Sequence, residues 1–339
     1  MILFLLLFIL IVFAVIVVFY FWSSSGSVDQ SQYSQVIKWE NKEQGRNELV
    51  ENRTYMIISY NIGYLSGMSN NLAVERKSEL FESNLENVNA EINKLQPDFI
   101  AFQEIDYRAK RSYNIDQLEA IAGNTGFAYA ARQINWDKNY LPFPYWPPKF
   151  HFGKLLSGQA VLSRYPVLED KRIVLQMPEM PYYREAFYID RLLQITKIDI
   201  DGQPLILMNV HLEAYDQNTR VAQAKKVLGY FRQYAKDYPV ILAGDFNSDP
   251  IYSDVPGQKQ EPTISFFLDT EDLEAASLAY YPIEKEKVKA TFPADNPDVK
   301  LDYIFYTADR IEKIDFKVLE DFGTASDHLP VMMEFRFKP

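Results

Sequence analysis

Short apolar segments alternate with polar ones along most of the chain, and their spacing shifts between the period of strands and that of helices. Nine segments have strand patterns: residues 54–61, 98–104, 158–164, 192–200, 204–212, 239–247, 301–307, 312–319 and 331–337. Three have the spacing of amphipathic helices: residues 74–95, 114–122 and 217–235. Asp201 and Gly202 separate two of the strands and form a hairpin signal. The mixture of helix-linked and hairpin-linked strands predicts a mixed α/β architecture with packed sheets and outer helices.

The first 22 residues have a different pattern, because residues 2–22 are apolar without a single charge. A helix needs about 20 such residues to cross the hydrocarbon core of a membrane. The run ends in Tyr20, Phe21 and Trp22, aromatic residues that are typical of the membrane interface. It is longer than the apolar region of a signal peptide, about 7–15 residues, and no basic residue precedes it. We therefore predict a single transmembrane anchor over residues 1–22. A signal peptide cleaved near residues 23–26 and a buried core helix are the alternatives.

A polar segment follows the apolar run. Residues 23–52 are rich in Ser, Gln, Asn and Glu, as in a tether between membrane and domain. Residues 53–339 then form the main folded domain. The nearest basic residue after the run is Lys38, so the charges give little information on orientation. By analogy with signal anchors, we expect the domain to lie outside the cytoplasm.

Composition restricts the chemistry. The chain has no cysteine, which excludes disulfides, a thiolate nucleophile and a cysteine zinc site. Its net charge is −11. Because contacts to phosphates supply most of the affinity for duplex DNA, an acidic chain argues against a high-affinity nuclease, although a local basic groove remains compatible with it.

Polar residues lie at the ends of four predicted strands and just before a fifth. They are Asn61, Glu104, His211, the pair Asp245 and Asn247, and the pair Asp327 and His328. Because apolar strands lie in a core, these residues are expected to meet at one rim. Carboxylates, amides and imidazoles at one rim are typical of a metal-assisted hydrolytic site.

These positions lie in motifs that resemble those of the endonuclease/exonuclease/phosphatase (DNase I-like) superfamily. The motifs are SYNIGY, FIAFQEID, GQAVLSRYP, MNVHLE, LAGDFNSDP, LDYIFY and SDHLPV, in the family's order, and they extend over residues 54–337. The resemblance implies a four-layer α/β/β/α sandwich, in which helices flank two packed mixed β-sheets, preceded here by the transmembrane helix. It also implies a metal-dependent phosphoesterase.

The resemblance implies a metal site at three of these residues. Glu104 matches the main ligand of Mg²⁺, for which Mn²⁺ is a possible substitute. Asn61 and Asp327 match supporting ligands that bind the ion directly or through water. Hard cations of this kind prefer carboxylate and amide oxygen.

The resemblance implies catalytic roles for five residues. Asp245 matches the carboxylate that orients or deprotonates the attacking water, and Asn247 the amide that holds a phosphate oxygen. His328 matches the imidazole that faces the scissile phosphate, and Asp302 the carboxylate that orients this imidazole. His211 matches a second histidine, which stabilises the phosphorane or protonates the leaving group.

Two further features, Arg191 and the segment 139–152, have two interpretations each. Arg191 precedes a strand, and a surface ion pair is favoured over a contact to phosphate. The segment 139–152 (NYLPFPYWPPKFHF) holds four prolines and six aromatic residues. It is either a proline-braced loop packed on the domain or an apolar wall for the substrate that reaches into the lipid headgroups. His151, within it, is not expected to be catalytic.

The substrate is the least determined property. The anchor, the acidic charge and the aromatic segment favour hydrolysis of a phospholipid or sphingomyelin-type headgroup ester at the membrane. The alternative is an extracytoplasmic nuclease, which a basic patch beside Glu104 and His328 would favour. A non-catalytic binding module is disfavoured because every expected site residue is present. The membrane and a phosphoester are the expected partners, and no obligatory protein partner is evident.

Overall fold

Two β-sheets packed face to face form the centre of the protein. The computed structural model describes residues 1–40, 53–249, 262–277 and 290–339. Within them, the first sheet has seven strands, in the order β1 (Ser34–Lys38), β4 (Tyr129–Leu141), β5 (Gly153–Ser163), β3 (Phe99–Asp106), β2 (Tyr55–Asn61), β13 (Val331–Phe337) and β12 (Ile311–Val318). The second has six, in the order β10 (Glu274–Ala275), β11 (Asp302–Tyr306), β9 (Val240–Asp245), β8 (Gln203–His211), β7 (Leu192–Ile200) and β6 (Val167–Val174). Each sheet has one parallel pair, β2 with β3 and β8 with β9, and is therefore mixed.

Helices cover the outer faces of both sheets. The described helices are α1 (Ile2–Ser24), α2 (Ser78–Leu95), α3 (Gln117–Thr125), α4 (Tyr182–Glu185), α5 (Gln217–Ala235) and α6 (Ser265–Leu268). Phe81 of α2 and Ile121 of α3 belong to an apolar cluster on the first sheet, and Phe231 of α5 to one on the second. A third cluster, which includes Val161 and Leu207, lies between the sheets. This is the four-layer α/β/β/α sandwich that the sequence predicted.

Local sequence signals explain several element ends. Helix α2 ends at Leu95, where Gln96 caps it with a left-handed φ of 52° and Pro97 follows. Asp216 starts α5, because its side chain accepts a hydrogen bond from the backbone N of Thr219. Asp201 and Gly202 have φ values of 53° and 89° and join β7 to β8 in the predicted hairpin.

Helix α1 lies outside the core. It is apolar and long enough to cross a membrane, and Ser23 is its one buried residue. The alternative of a buried core helix is therefore wrong.

The segment predicted as a tether differs from that expectation. The backbone N atoms of Ser27 and Val28 donate to the buried Asp137 carboxylate at 2.8 and 3.0 Å. Strand β1 then pairs antiparallel with β4 along its whole length. The folded domain thus includes residues 25–38, well before the predicted boundary at residue 53. The part of the predicted tether over residues 41–52 lies outside the described residues.

Candidate active site

The structure brings all eight predicted site residues together. Asp245 is central, because its carboxylate lies within 4 Å of four of them: Asn61, His211, Asn247 and His328. Asp302 contacts His328, and Glu104 contacts His211. Asp327 joins the group through a shared amide, that of Asn70. The parallel pairs explain the convergence, since β2 and β3 end beside each other, as do β8 and β9.

Close backbone approach places Asp245 at the rim. Gly244, one residue before it, has a φ of 148°. A Cβ atom there would lie 2.0 Å from the carbonyl oxygen of Val210. Only glycine therefore allows β9 to pack against β8 at this point. Asn247 follows with a φ of 48°, in the left-handed region that asparagine tolerates, and its side chain donates to the carbonyl of Leu212 at 3.0 Å.

His328 is held as a charged donor. Its Nδ1 lies 2.9 Å from Oδ2 of Asp302, which also accepts a hydrogen bond from Thr291 Oγ1 at 2.6 Å. Burial opposes the charge on the imidazole, but the Asp302 and Asp245 carboxylates outweigh burial and raise the pKa of His328 to about 10. Its Nε2 lies 3.9 Å from Asp245, so the second N–H of the imidazolium faces the cleft.

His211 is held as a neutral acceptor. Burial, with the charges of Arg191 and His328, lowers the pKa of His211 well below its usual value. The Nη1 of Arg191 lies 2.7 Å from His211 Nε2, and a guanidinium can only donate. In this arrangement Nε2 of His211 carries no proton for a leaving group. The pair instead presents the positive charge of Arg191 beside the site.

The carboxylates of Glu104 and Asp327 share one amide donor near the C-terminal end of β3. The Nδ2 of Asn70 lies 2.9 Å from Glu104 Oε2 and 3.3 Å from both carboxylate oxygens of Asp327. Burial, with the nearby Asp327 charge, raises the pKa of Glu104 to about 7. Burial also raises the pKa of Asp245, to about 6. Buried carboxylates that disfavour one another's charge are stabilised by a cation between them.

This donor set fits a hard divalent cation. Glu104 and Asp327 offer carboxylate oxygens, and Oε1 of Glu104 lies 3.8 Å from His211 Nε2, beyond hydrogen-bond distance. Asn61 is less available to bind the cation, because its amide nitrogen donates to Asp245 at 3.0 Å and its oxygen accepts from the Gly63 backbone at 3.1 Å. That favours a supporting place for Asn61.

A second group of potential ligands lies behind the first. Ligating atoms of Asp245, Asp302 and His328 are all within 4.8 Å of one another. However, Nδ1 of His328 and Oδ2 of Asp302 are hydrogen-bonded to each other at 2.9 Å, and Asp302 Oδ2 also accepts from Thr291 Oγ1. The Glu104 side of the site is therefore the better cation site.

Two residues at the site were not assigned from the sequence. Asn70 lies just after a 3-10 turn, away from any strand end, and carried no signal. Arg191 does form an ion pair, with Glu213 at 3.4 Å, but both side chains are buried rather than at the surface. Its place just before a predicted buried strand was the one sequence signal for Arg191 as a site residue.

One cleft, of about 530 Å³, connects the site to the aromatic segment. Seven of the eight predicted residues line it, all but Asp302, which lies behind His328. Leu141, Pro142, Phe143 and Tyr145 form part of its wall. His151 braces the segment through Tyr140 Oη at 2.7 Å and the Tyr145 carbonyl at 3.3 Å. The segment 139–152 is thus both a braced loop and an apolar wall.

Comparisons with known proteins agree with this geometry. Residues 58–328 match the Endonuclease/Exonuclease/phosphatase family. The search of curated proteins found no match.

Among solved structures, an endonuclease/exonuclease/phosphatase from Beutenbergia cavernae has a TM-score of 0.58 and 20% identity, over 84% of this chain and 72% of that one. The catalytic domain of human Nocturnin, solved with a sulfate anion, has a TM-score of 0.57 and 18% identity, over 90% and 98%. A mannosyl-6-phosphatase of Bacteroides thetaiotaomicron has a TM-score of 0.57 and 16% identity, over 84% and 100%. At such identities the likeness shows the fold.

The family match extends over most of the chain and contains all eight site residues. The protein therefore belongs to the endonuclease/exonuclease/phosphatase family and is a hydrolase of phosphoester bonds.

Proposed function

We propose that this protein is a membrane-anchored, Mg²⁺-dependent phosphodiesterase that hydrolyses the headgroup ester of a phospholipid or sphingomyelin-type lipid. The cleft carries the proposal: it is lined both by the polar site and by the apolar side chains of Leu141, Phe143, Tyr145 and Phe187. Such a wall suits a substrate with an apolar part. The apolar helix α1 supports a membrane location.

The carboxylates of the site would have two different roles. Glu104 and Asp327, supported by Asn61, would hold the cation, which supplies Lewis-acid stabilisation of the charge on the phosphate. Asp245 would orient and deprotonate the attacking water. Its pKa of about 6 leaves it ionised at neutral pH and still basic enough to accept a proton.

Donors around the cleft would hold the phosphate oxygens. His328 would donate from Nε2, with Asp302 fixing the ring through Nδ1. The Asn247 amide donates to the Leu212 carbonyl and, at 3.3 Å, to Asp245, so it would turn from Asp245 to a bound phosphate oxygen. Arg191 would add positive charge through its contact with His211. Fixed donors of this kind stabilise the extra negative charge of the phosphorane without reorganising.

The nuclease alternative has less support. Among the described residues that line the cleft, the basic ones outside the two site histidines are Arg184 and Arg191, and Arg191 is paired with Glu213. A duplex requires several phosphate contacts outside the scissile bond. The net charge of −11 argues in the same direction.

The test is a paired assay of the full chain in vesicles with Mg²⁺. One set of vesicles contains phosphatidylcholine, phosphatidylethanolamine, phosphatidylglycerol and sphingomyelin, and the other reaction contains supercoiled plasmid. Release of phosphorylated headgroup with intact plasmid supports the proposal. Nicked plasmid with intact lipid replaces it with the nuclease.

His328→Ala is the catalytic control, and Asp309→Asn, on a side chain that is 73% exposed, is its matched surface variant. Loss of activity in the first variant alone assigns the reaction to this site. Equal activity in both variants would show that the site is misassigned.

We also propose that the domain lies outside the cytoplasm and that α1 is retained. Protease treatment of intact cells should digest the domain, and the mass of the purified protein should include residues 1–22. Protection from protease would place the domain inside, and a mass beginning near residue 26 would identify a cleaved signal peptide.

A further inference from the structure

The C-terminal end of α1 is hydrogen-bonded directly to the domain. Lys138 Nζ donates to the Ser24 carbonyl at 3.1 Å, and Asn139 Nδ2 to the Trp22 carbonyl at 3.2 Å. The backbone N of Asn139 donates to the Ser25 carbonyl at 2.9 Å. Because these bonds tie the last turn of α1 to β4, the helix has a defined position on the domain rather than a free joint.

Aromatic contacts extend this attachment to the wall of the cleft. The rings of Phe19 and Tyr140 are 5.8 Å apart, and those of Tyr20 and Phe187 are 5.7 Å apart. The hydroxyl of Tyr20 also lies 3.4 Å from the carbonyl oxygen of Tyr182. Phe19 and Tyr20 stand at the end of the apolar run, where a spanning helix leaves the hydrocarbon. When α1 spans a membrane, the residues that contact Phe19 and Tyr20 would therefore lie at the membrane boundary.

Four exposed aromatic side chains lie on the two segments that contact α1, residues 139–152 and 182–187. Tyr145 and Trp146 are 66% and 79% exposed, and Tyr182 and Tyr183 are 77% and 54% exposed. We call these four residues the aromatic rim. The two segments are joined beneath the rim, where Phe143 and Phe187 pack on one apolar cluster.

The composition of the rim matches a bilayer interface. Tyr and Trp bury a ring among lipid tails while their polar group stays with the headgroups. Exposed rings on adjoining segments are also unusual for a surface that faces only water. The charged groups in these segments are few: Lys149, Arg184 and Glu185.

We propose that the aromatic rim is a bilayer-contacting surface, which holds the mouth of the catalytic cleft at the level of the phospholipid headgroups. Tyr145, Arg184 and Phe187 line the same cleft as Glu104 and His328. A phospholipid can then reach the site sideways from the bilayer, with its headgroup beside Arg184 on entry. The inference rests on the proposed anchoring by α1 and adds a fixed orientation of the domain.

The test is the depth of single spin labels, which the absence of native cysteine makes straightforward. The full chain carries Trp146→Cys or Tyr183→Cys at the rim. Control labels replace Lys94, 60% exposed at the end of α2, and Asp309, 73% exposed after β11. Both controls stand at strand or helix ends away from the cleft.

The labelled proteins are placed in phosphatidylcholine–phosphatidylglycerol nanodiscs, and accessibility to oxygen and to a water-soluble nickel chelate is measured by EPR. We expect both rim labels to be shielded from nickel and accessible to oxygen, and both controls to show the reverse. Rim labels as accessible to nickel as the controls would overturn the inference.

This result is independent of turnover. Rim labels in the headgroup layer support the inference even when no lipid is hydrolysed, in which case only the proposed function fails. Hydrolysed lipid with rim labels in water refutes the inference and leaves the proposed function in place.

A double variant, Trp146→Ser with Tyr183→Ser, gives a second measurement, since neither residue lines the cleft. Because interfacial binding scales with buried apolar area, the ratio of vesicle rate to soluble-diester rate should fall about tenfold. An unchanged ratio would count against the rim as a lipid contact.

Discussion

Asp302→Asn tests how the site keeps His328 charged. The substitution preserves shape, and the amide oxygen can still accept from Nδ1 of His328. It removes the negative charge 2.9 Å from the ring. Because Asp302 and His328 are both buried, the substitution removes the nearer of two carboxylates that stabilise the imidazolium and leaves Asp245, 3.9 Å from Nε2.

The structure gives the size of the effect. With its pKa at about 10, His328 is protonated at pH 7 by a margin of about 4 kcal/mol. Removing one partner of a buried charge pair costs about 3–5 kcal/mol. This cost is about as large as the free energy that keeps His328 protonated at pH 7. The pKa of His328 in the variant should therefore fall to about 7 or below.

The sign of the pH dependence follows. The raised pKa of His328 stabilises the native state below the usual histidine pKa of about 6.5, and this contribution is lost as pH rises through about 10. Activity that needs the imidazolium should persist to high pH in the wild type. In Asp302→Asn it should decline from about neutral pH, so that kcat at pH 9 falls about 100-fold while kcat at pH 6 falls much less.

The assay is kcat against pH on a soluble phosphodiester with saturating Mg²⁺, alongside thermal melting of both proteins. Asp309→Asn is the control for a surface charge. A profile for Asp302→Asn that superimposes on the wild type would refute the argument that His328 acts as a cation held by Asp302.

Three further predictions follow from the fold and the cation site. Burial and Asp327 raise the pKa of Glu104 from 4.5 to about 7, so the metal-free fold loses stability as pH rises through this range and stays destabilised above it. Glu104→Gln should therefore raise the free energy of unfolding without metal at pH 8 by about 1–3 kcal/mol and abolish thermal stabilisation by Mg²⁺. Gly244→Ala should lower the free energy of unfolding by about 3 kcal/mol or more, since a Cβ would lie 2.0 Å from a carbonyl oxygen, whereas Gly123→Ala, with nothing within 4 Å, should raise it by about 0.5–1 kcal/mol in urea titrations. A chain that begins at residue 26 should melt cooperatively, and one that begins at residue 53 should melt lower or aggregate, because it lacks β1 and leaves the edge of β4 unpaired.

The sequence predicted most of the site because the apolar strands end on residues that packing does not explain. Pairing confirms the reasoning: Asn61 lies opposite Gln103, next to Glu104, and His211 lies opposite Asp245. The helices and most of the strands followed from their periods, and β7 and α5 have the predicted bounds.

Strand β4 was missed because tertiary partners override its polar pattern. Gln133 and Asp137 are buried in it, which no alternation of apolar residues would predict. Gln133 donates to Asp170 at 2.7 Å, and Asp137 accepts from Ser27 and Val28. These partners lie far along the chain, so a local pattern carries no information about them. β1 was missed for the same reason, since its place depends on β4.

A bulge in β3 explains why Glu104 can be both part of a core strand and part of the site. Phe102 and Ile105 both face the helices, although side chains three apart normally face opposite ways. The register with β5 shifts between these two residues, and Glu104 has a φ of 52°. Without the bulge, Glu104 would point into the apolar cluster beneath α2 and α3. A non-glycine residue in this conformation costs about 1–3 kcal/mol. In return for this strain, the bulge turns the Glu104 carboxylate toward Asp327 and the cleft. The apolar residues on both sides of Glu104 stay buried.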